Sequence, residues 1–291
     1  MECFYGAKSD AGREAAEMNT MAPPASPSLA GQPLAASPMP PAHITIRGLS
    51  KRYQGVVIYD NFDLDIPRGK FVSVFGPNGC GKSTLINMIA GLVPRDAGEI
   101  LFGGKTLAET KIGYVFQNYR EALFPWMTAR ANILYPLKLM KLPAAEANAR
   151  VDRLITHLGV KIDLARYPYE MSGGQQQLVS ILRALIVEPE VLFLDEPFSA
   201  LDYEMTLFMR VQLQRIFEET KTTMVLVSHD LEEAVYLADH VLLLSRRPAR
   251  IADFVTVPQP RPRDDATLSD PGFVALKGHC LEIFQREVRR A

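Results

Sequence analysis

Four short apolar runs punctuate the chain: "FVSVF" at 71–75, "VLFL" at 191–194, "MVLV" at 224–227 and "VLLL" at 241–244. A strand with one wet face would alternate polar and apolar residues. Unbroken runs of this length, rich in Val, Leu and Phe, instead suit strands covered on both faces. Between them lie stretches such as "AAEANARVDRLITHLGV", whose apolar residues recur three and four apart, the period of a helix. Strands separated by helices predict an α/β fold around a parallel-type sheet, with residues 125–190 as a helical insertion between core strands. No internal repeat is visible. Ordered structure is expected to begin near Ile44.

Residues 1–42 break this pattern. They hold seven of the 21 prolines, set among Ala, Ser and Gly. Such a stretch buries too little apolar surface to offset its ordering entropy, so a disordered leader is expected. Met18 and Met21 are alternative starts. After the main domain over 43–258, "PQPRPRDDATLSDPGF" reads as a surface loop leading to a short final helix. Residues 259–291 are thus an appendage too short to fold alone.

Composition narrows the function classes. Of 291 residues, 47% are hydrophobic and 22% charged, with a net charge of −1. No strong field therefore draws the whole molecule to nucleic acid or anionic lipid, and no nucleic-acid partner is expected. No apolar run approaches the ~18 residues of a membrane span, and the first ten residues lack the apolar segment of a signal peptide. Membrane association must then go through a partner protein. Cys3, Cys80 and Cys280 are widely spaced, odd in number and form no metal-ligand pattern, which suits a reducing compartment.

The chemistry starts at "GPNGCGKST", running Gly76, Pro77, Asn78, Gly79, Cys80, Gly81, Lys82, Ser83, Thr84. It fits G-x-x-x-x-G-K-[ST] in full, follows a strand and opens a helix with Leu85, Met88 and Ile89 on one face and Gly91 as its stop. Glycines let successive N–H groups point at phosphate oxygens, and the helix N-terminus adds partial positive charge. Lys82 is expected at the β- and γ-phosphates and the Ser83 hydroxyl on Mg2+. The chain should bind a nucleoside triphosphate. Cys80 is either a position that tolerates many residues or a thiol made reactive by the helix N-terminus.

"VLFLDEP" ends a buried strand in two carboxylates, 113 residues (195 − 82) beyond Lys82. Asp195 is placed to hold Mg2+ through water, and Glu196 to orient and deprotonate the attacking water. "MSGGQQQ" puts Ser172, Gly173, Gly174 and Gln175 at the start of another helix, a second anion-binding nest. With one phosphate loop already present, that nest is spare unless it serves another molecule's ATP.

With these motifs in this order, residues 44–250 resemble the nucleotide-binding subunit of ABC transporters. The resemblance implies a P-loop NTPase core with a parallel-type sheet, an N-terminal antiparallel β portion and a helical insertion. It implies an ATPase using ATP and Mg2+, working as a head-to-tail homodimer or paired with another nucleotide-binding subunit. On that pattern Tyr53, in "LSKRYQG", stacks on adenine. Gln117, in "YVFQN", senses Mg2+ and the attacking water, and His229, in "VSHD", contacts the γ-phosphate. Ser199, Ala200, Leu201 and Asp202 cross the dimer interface. One departure is Leu178, where the family commonly has Arg, which calls local helix packing and salt bridging into question.

The segment "NYREALFPWMTARANILYPL" resembles the part of importer subunits that receives a permease, with Leu123, Phe124 and Trp126 as an apolar docking patch. Core packing of the three is the competing reading. Within importers, "NYREALFPW", "LSRRPARI" at 244–251, "PRPRD" and "SDPGF" are similar to the nitrate/sulfonate/taurine group. That implies a motor at the cytoplasmic face of the inner membrane, held through a permease that an extracytoplasmic solute-binding protein feeds. Two other classes stay open: a soluble ABC ATPase without a permease, and a P-loop small-molecule kinase. The second needs an acceptor site and leaves "MSGGQQQ" unexplained.

Overall fold

In the computed structural model, which describes residues 41–199 and 201–289, the four apolar runs lie in one sheet. In chain order the strands are β1 (Ala42–Tyr53), β2 (Val56–Pro67), β3 (Phe71–Phe75), β4 (Ala97–Phe102), β5 (Ile112–Val115), β6 (Val191–Asp195), β7 (Thr223–Val227), β8 (His240–Leu244) and β9 (Ile251–Thr256). The helices are α1 (Lys82–Ile89), α2 (Tyr119–Ala122), α3 (Ala129–Leu139), α4 (Ala144–His157), α5 (Gly173–Leu185), α6 (Tyr203–Thr220), α7 (Leu231–Leu237), α8 (Asp265–Leu268) and α9 (Pro271–Arg289). The leader expected over 1–42 lies outside the described residues as far as residue 40.

The six-stranded sheet has the order β5-β6-β7-β3-β8-β9. Its pairs are parallel except for β8 with β9. Every residue of β3, β6, β7 and β8 is buried, as the unbroken apolar runs require. Because side chains alternate across a strand, each run feeds two cores. Phe71, Leu192, Leu194, Met224, Leu226, Val241 and Leu243 join one core with α3 to α7 and α9. Val72, Val74, Val191, Phe193, Val225, Val227, Leu242 and Leu244 join the other. That second core is closed by α1 and by a separate antiparallel sheet, β2-β1-β4. Helices α3 to α5 are inserted between β5 and β6. This is the expected α/β class, with its parallel-type sheet and N-terminal antiparallel portion.

The C-terminal stretch corrects the sequence reading twice. The final helix is not short: α9 has 19 residues, and Phe273, Cys280 and Ile283 carry it into the main core. Its apolar stripe is thinned by charges, which is all that one covered face of a surface helix needs. The loop before it is not wholly at the surface either. Arg263 is 3% exposed, and its Nη1 donates to the carbonyls of Val235, Tyr236 and Ala238 at 3.2, 2.7 and 2.7 Å. It thereby satisfies carbonyls at the end of α7 that have no partner within the helix. Burial drives its guanidinium down to about 10.

Since β5, β6, β7, β3 and β8 are parallel, their carboxyl ends share one edge, where ligands bind in open α/β sheets.

Candidate active site

The buried strand β3 delivers Gly76 to that edge, and α1 begins at Lys82. Two glycines are sterically required. Gly81 sits at φ +119°, and a Cβ there would lie 2.7 Å from Ile58 Cγ2. At Gly76 a Cβ would lie 2.8 Å from the Leu244 carbonyl oxygen. Lys82 is 6% exposed, and its ammonium donates to the Gly76 and Pro77 carbonyls at 2.8 and 3.3 Å. Among the described residues it has no carboxylate partner, so the loop holds a buried cation ready for a polyanion. The Tyr59 hydroxyl donates to the Gly81 carbonyl at 3.0 Å and fixes the loop from β2.

Cys80 corrects the reactive-thiol reading. It is 2% exposed, and burial pushes the thiol up despite the opposing charge of Lys82. The helix N-terminus loses to desolvation here. A variant carrying Cys3→Ser and Cys280→Ser should keep its ATPase activity after treatment with a maleimide. Mass spectrometry should find Cys80 unlabelled until the protein is denatured; rapid labelling of the folded protein would contradict this burial.

At the end of β6, Asp195 is 7% exposed and its carboxyl is pushed up by burial, with hydrogen bonds from Ser83 and Tyr114 working against the shift. Ser83 Oγ donates to Asp195 Oδ1 at 2.9 Å. The next residue, Glu196, adopts φ +46°, an uncommon backbone state for a side-chain-bearing residue, and its N–H donates to the Val227 carbonyl at 2.9 Å. Gln117, just beyond β5, donates from Nε2 to Glu196 Oε2 at 2.9 Å. His229, just beyond β7, places Nδ1 3.4 Å from the same oxygen. Three strand ends thus converge on Oε2, and Oε1 takes no hydrogen bond among the described residues.

Of the other predicted residues, Ser199 adjoins this cluster, its N–H donating to the Glu196 carbonyl at 3.2 Å. The rest make no hydrogen bond to it among the described residues. Tyr53 ends β1, 43% exposed, with Lys51 Nζ 4.9 Å from its ring centre. Ser172 caps α5: its Oγ accepts from Gln175 N at 3.3 Å, and Gln175 Oε1 accepts from Ser172 N at 3.1 Å. No hydrogen bond or ion pair among the described residues joins Ser172, Gly173, Gly174 or Gln175 to the phosphate loop. Gly174 has a packing duty as well, since a Cβ would fall 2.0 Å from Met205 Cγ on α6. Leu178 is 2% exposed and fills the core; its neighbour Gln177 is fully buried and its amide forms no hydrogen bond among the described residues. Ser199 is exposed, Asp202 caps α6 by accepting from Met205 N at 2.8 Å, and Ala200 lies outside the described residues.

The apolar patch divides. Leu123 is 2% exposed and belongs to the main core, which removes it from any docking surface. Trp126 is 70% exposed, with Phe124 half-buried beside it at 5.5 Å between ring centres. Sequence reasoning missed what shapes this segment. The buried Asn132 accepts from Phe124 N at 2.8 Å and donates to the Phe124, Met127 and Thr128 carbonyls. Arg183 of α5 donates to the Ala122 carbonyl at 2.7 Å, tying the helix that starts at Ser172 to the patch. Also missed was Tyr114 on β5, whose hydroxyl contacts both Asn87 and Asp195. A polar or ring-bearing residue inside a run otherwise read as core was the signal available for each.

Residues 59–199 match the family pattern described as ABC transporter. The chain is 43% identical over 227 residues to the sulfate/thiosulfate import ATP-binding protein of Thermosynechococcus vestitus, spanning 74% of this chain and 67% of that one. It is 40% identical over 238 residues to the sn-glycerol-3-phosphate import ATP-binding protein of Cereibacter sphaeroides, spanning 80% and 67%. Among solved structures it is similar to an ATP-binding cassette captured as a dimer in a post-hydrolysis state with ADP and inorganic phosphate. The TM-score is 0.64 at 27% identity, covering 75% of this chain and 100% of that one.

Proposed function

This chain belongs to the ABC transporter family and is an ATP-binding, ATP-hydrolysing subunit of it, and on that premise we propose that it is the motor of a membrane importer. The observation that carries the catalytic assignment is the convergence on Glu196. Gln117 and His229 both address Oε2, which leaves Oε1 free to take a proton from water as a general base. Gly76 to Thr84 cradle the triphosphate, with Lys82 as the charge partner of its outer phosphates. Tyr53 offers its exposed ring to adenine.

Ser83 Oγ and Asp195 Oδ1 present only oxygen, the donor type Mg2+ takes. With Gln117 they are the residues that would hold it. When bound, the ion supplies charge neutralisation of the phosphates. Ser172 and Gln175 cap the N-terminus of α5, a second anion-binding nest that we assign to the ATP of a second nucleotide-binding subunit. The exposed Ser199 and the Asp202 cap are then the crossing segment.

Import is supported by the names of the relatives and by the exposed Trp126 with Phe124. No helix among the described residues is long and apolar enough to cross a membrane. The import relatives favour a place at the inner face of the membrane, held through a permease. A solute-binding protein outside supplies the cargo. A small anion or organic solute of the nitrate/sulfonate/taurine kind is the cargo class favoured by "NYREALFPW" and "LSRRPARI".

The test is a detergent pull-down from native membranes with tagged Glu196→Gln protein and ATP. Recovery of a polytopic permease is expected, with loss of at least tenfold when Phe124→Ala and Trp126→Ala are added. Recovery of soluble partners alone would overturn the importer reading and leave the ATPase intact.

A further inference from the structure

Tyr114 lies on β5, three residues before Gln117, and its hydroxyl stands between two acceptors. It is 2.7 Å from Asn87 Oδ1 and 3.3 Å from Asp195 Oδ2. The other oxygen of Asp195, Oδ1, accepts from Ser83 Oγ at 2.9 Å. Ser83 and Asn87 are four residues apart on α1 and therefore share a face of that helix. The result is a closed ring of contacts: Ser83 to Asp195, Asp195 to Tyr114, Tyr114 to Asn87, and back along α1.

A phenol carries one proton and can donate to one acceptor at a time. In this arrangement the shorter contact is to Asn87. The ring is half-buried and packed by Phe116 and Phe193, with centres 4.6 and 6.1 Å away. The proton can therefore change acceptor by rotation about the C–O bond while the ring stays in place. Asp195 held by Ser83 alone would be pinned at one oxygen and free to turn about its Cβ–Cγ bond. A second donor on Oδ2 sets the plane of the carboxylate.

We propose that Tyr114 is a positioning residue for the divalent cation, its hydroxyl fixing the orientation of Asp195 by donating to Oδ2 and releasing it by donating to Asn87. This rests on the reading of Asp195 as a carboxylate that holds the cation. Tyr114, Asn87, Gln117 and Asp195 also line one groove of about 520 Å3 at the surface. The hydroxyl is thus the point at which a change in that groove reaches the cation carboxylate. Outer-shell partners of this kind are worth about 10–100-fold in metal affinity or activity.

The experiment follows binding of a fluorescent ATP analogue in EDTA and across a Mg2+ titration, for the native protein, Tyr114→Phe, Asn87→Ala and Asp195→Asn. Tyr114→Phe keeps the ring and removes only the oxygen. It should bind the analogue normally in EDTA, while its Mg2+ midpoint rises about tenfold. Asn87→Ala leaves the hydroxyl only Asp195 to serve, so its midpoint should stay at or below the native value. Asp195→Asn should lose the Mg2+ effect. An unchanged midpoint in Tyr114→Phe, with the effect lost in Asp195→Asn, would overturn the role of Tyr114 and spare that of Asp195. Equal rises in Tyr114→Phe and Asn87→Ala, or lost binding of Tyr114→Phe in EDTA, would reduce Tyr114 to packing. A normal Mg2+ effect in Asp195→Asn would remove the underlying reading and this one with it.

Discussion

Glu196→Gln is expected to lower ATP turnover by ~10²–10⁴-fold, the usual contribution of a general base, with ATP affinity unchanged. The amide keeps the shape of the carboxylate and an oxygen to accept from Gln117, whose Nε2 lies 2.9 Å from Oε2 in the native protein. It lacks the capacity to take a proton at neutral pH. The backbone gives the new side chain little room to wander. Glu196 N donates to the Val227 carbonyl at 2.9 Å, holding the φ +46° turn that aims the side chain at the edge of the sheet. Steady-state phosphate release measures the first quantity and equilibrium nucleotide binding the second. Turnover within a few-fold of native would remove Glu196 from catalysis.

Lys82→Ala is expected to fail one step earlier, at binding. Hydrogen bonds to charged groups contribute about 1.5–3 kcal/mol each, and each 1.4 kcal/mol is about tenfold in affinity. Loss of one such contact to the outer phosphates should weaken ATP binding roughly 10–150-fold. The position adds to the effect. Lys82 is 6% exposed, and its ammonium satisfies the Gly76 and Pro77 carbonyls, so truncation also frees polar groups of the loop that has to bind. Titration with a fluorescent nucleotide analogue measures the loss directly. Native affinity in Lys82→Ala would contradict the assignment of Lys82 to the phosphates.

The two substitutions separate the halves of the site. The Glu196 variant should bind and stall; the Lys82 variant should scarcely bind. A chain in which both merely lost stability would show parallel falls in melting temperature and in both readouts.

Much of this could be read along the chain, because its physical cause is local. The phosphate loop is nine consecutive residues, Gly76 to Thr84, between a buried strand and a helix. Its glycines, lysine and hydroxyls stand at a fixed local spacing that the chain itself displays, although Leu244, Ile58 and Asp195 also press on Gly76, Gly81 and Ser83 from outside it. The largely apolar runs in β3, β6, β7 and β8 reported burial on both faces. The polar residues Ser73, Thr223 and His240 within these strands are buried with hydrogen-bond partners. Asp195 and Glu196 were legible as the polar end of such a run.

What escaped the linear reading depends on which distant segments meet. Leu123 and Trp126 are three residues apart and similarly apolar, yet one is 2% exposed and the other 70%. Only the packing of α2, α3 and α5 distinguishes them. A cysteine at a helix start looks activated until the loop folds over it, and then burial outweighs the charge beside it. Arg263 has the composition of a loop residue, but its guanidinium serves carbonyls of α7 some 25 to 28 positions away. Tyr114 reads as one more ring in a strand until β5 and β6 pair and bring its hydroxyl to Asp195.

The amino-acid order alone therefore settled the class of sheet, the phosphate loop and the carboxylates at the end of β6, because periodicity and short motifs act over a few neighbouring residues. Tertiary packing settled what surrounds those groups: two side chains on one oxygen of Glu196, a tyrosine shared between Asn87 and Asp195, and an apolar segment that buries Leu123 and leaves Trp126 exposed. Burial, hydrogen-bond partnership and proton affinity are properties of a site's whole surroundings. Here those surroundings are assembled from strands whose order in the sheet, β5-β6-β7-β3-β8, is not their order in the chain.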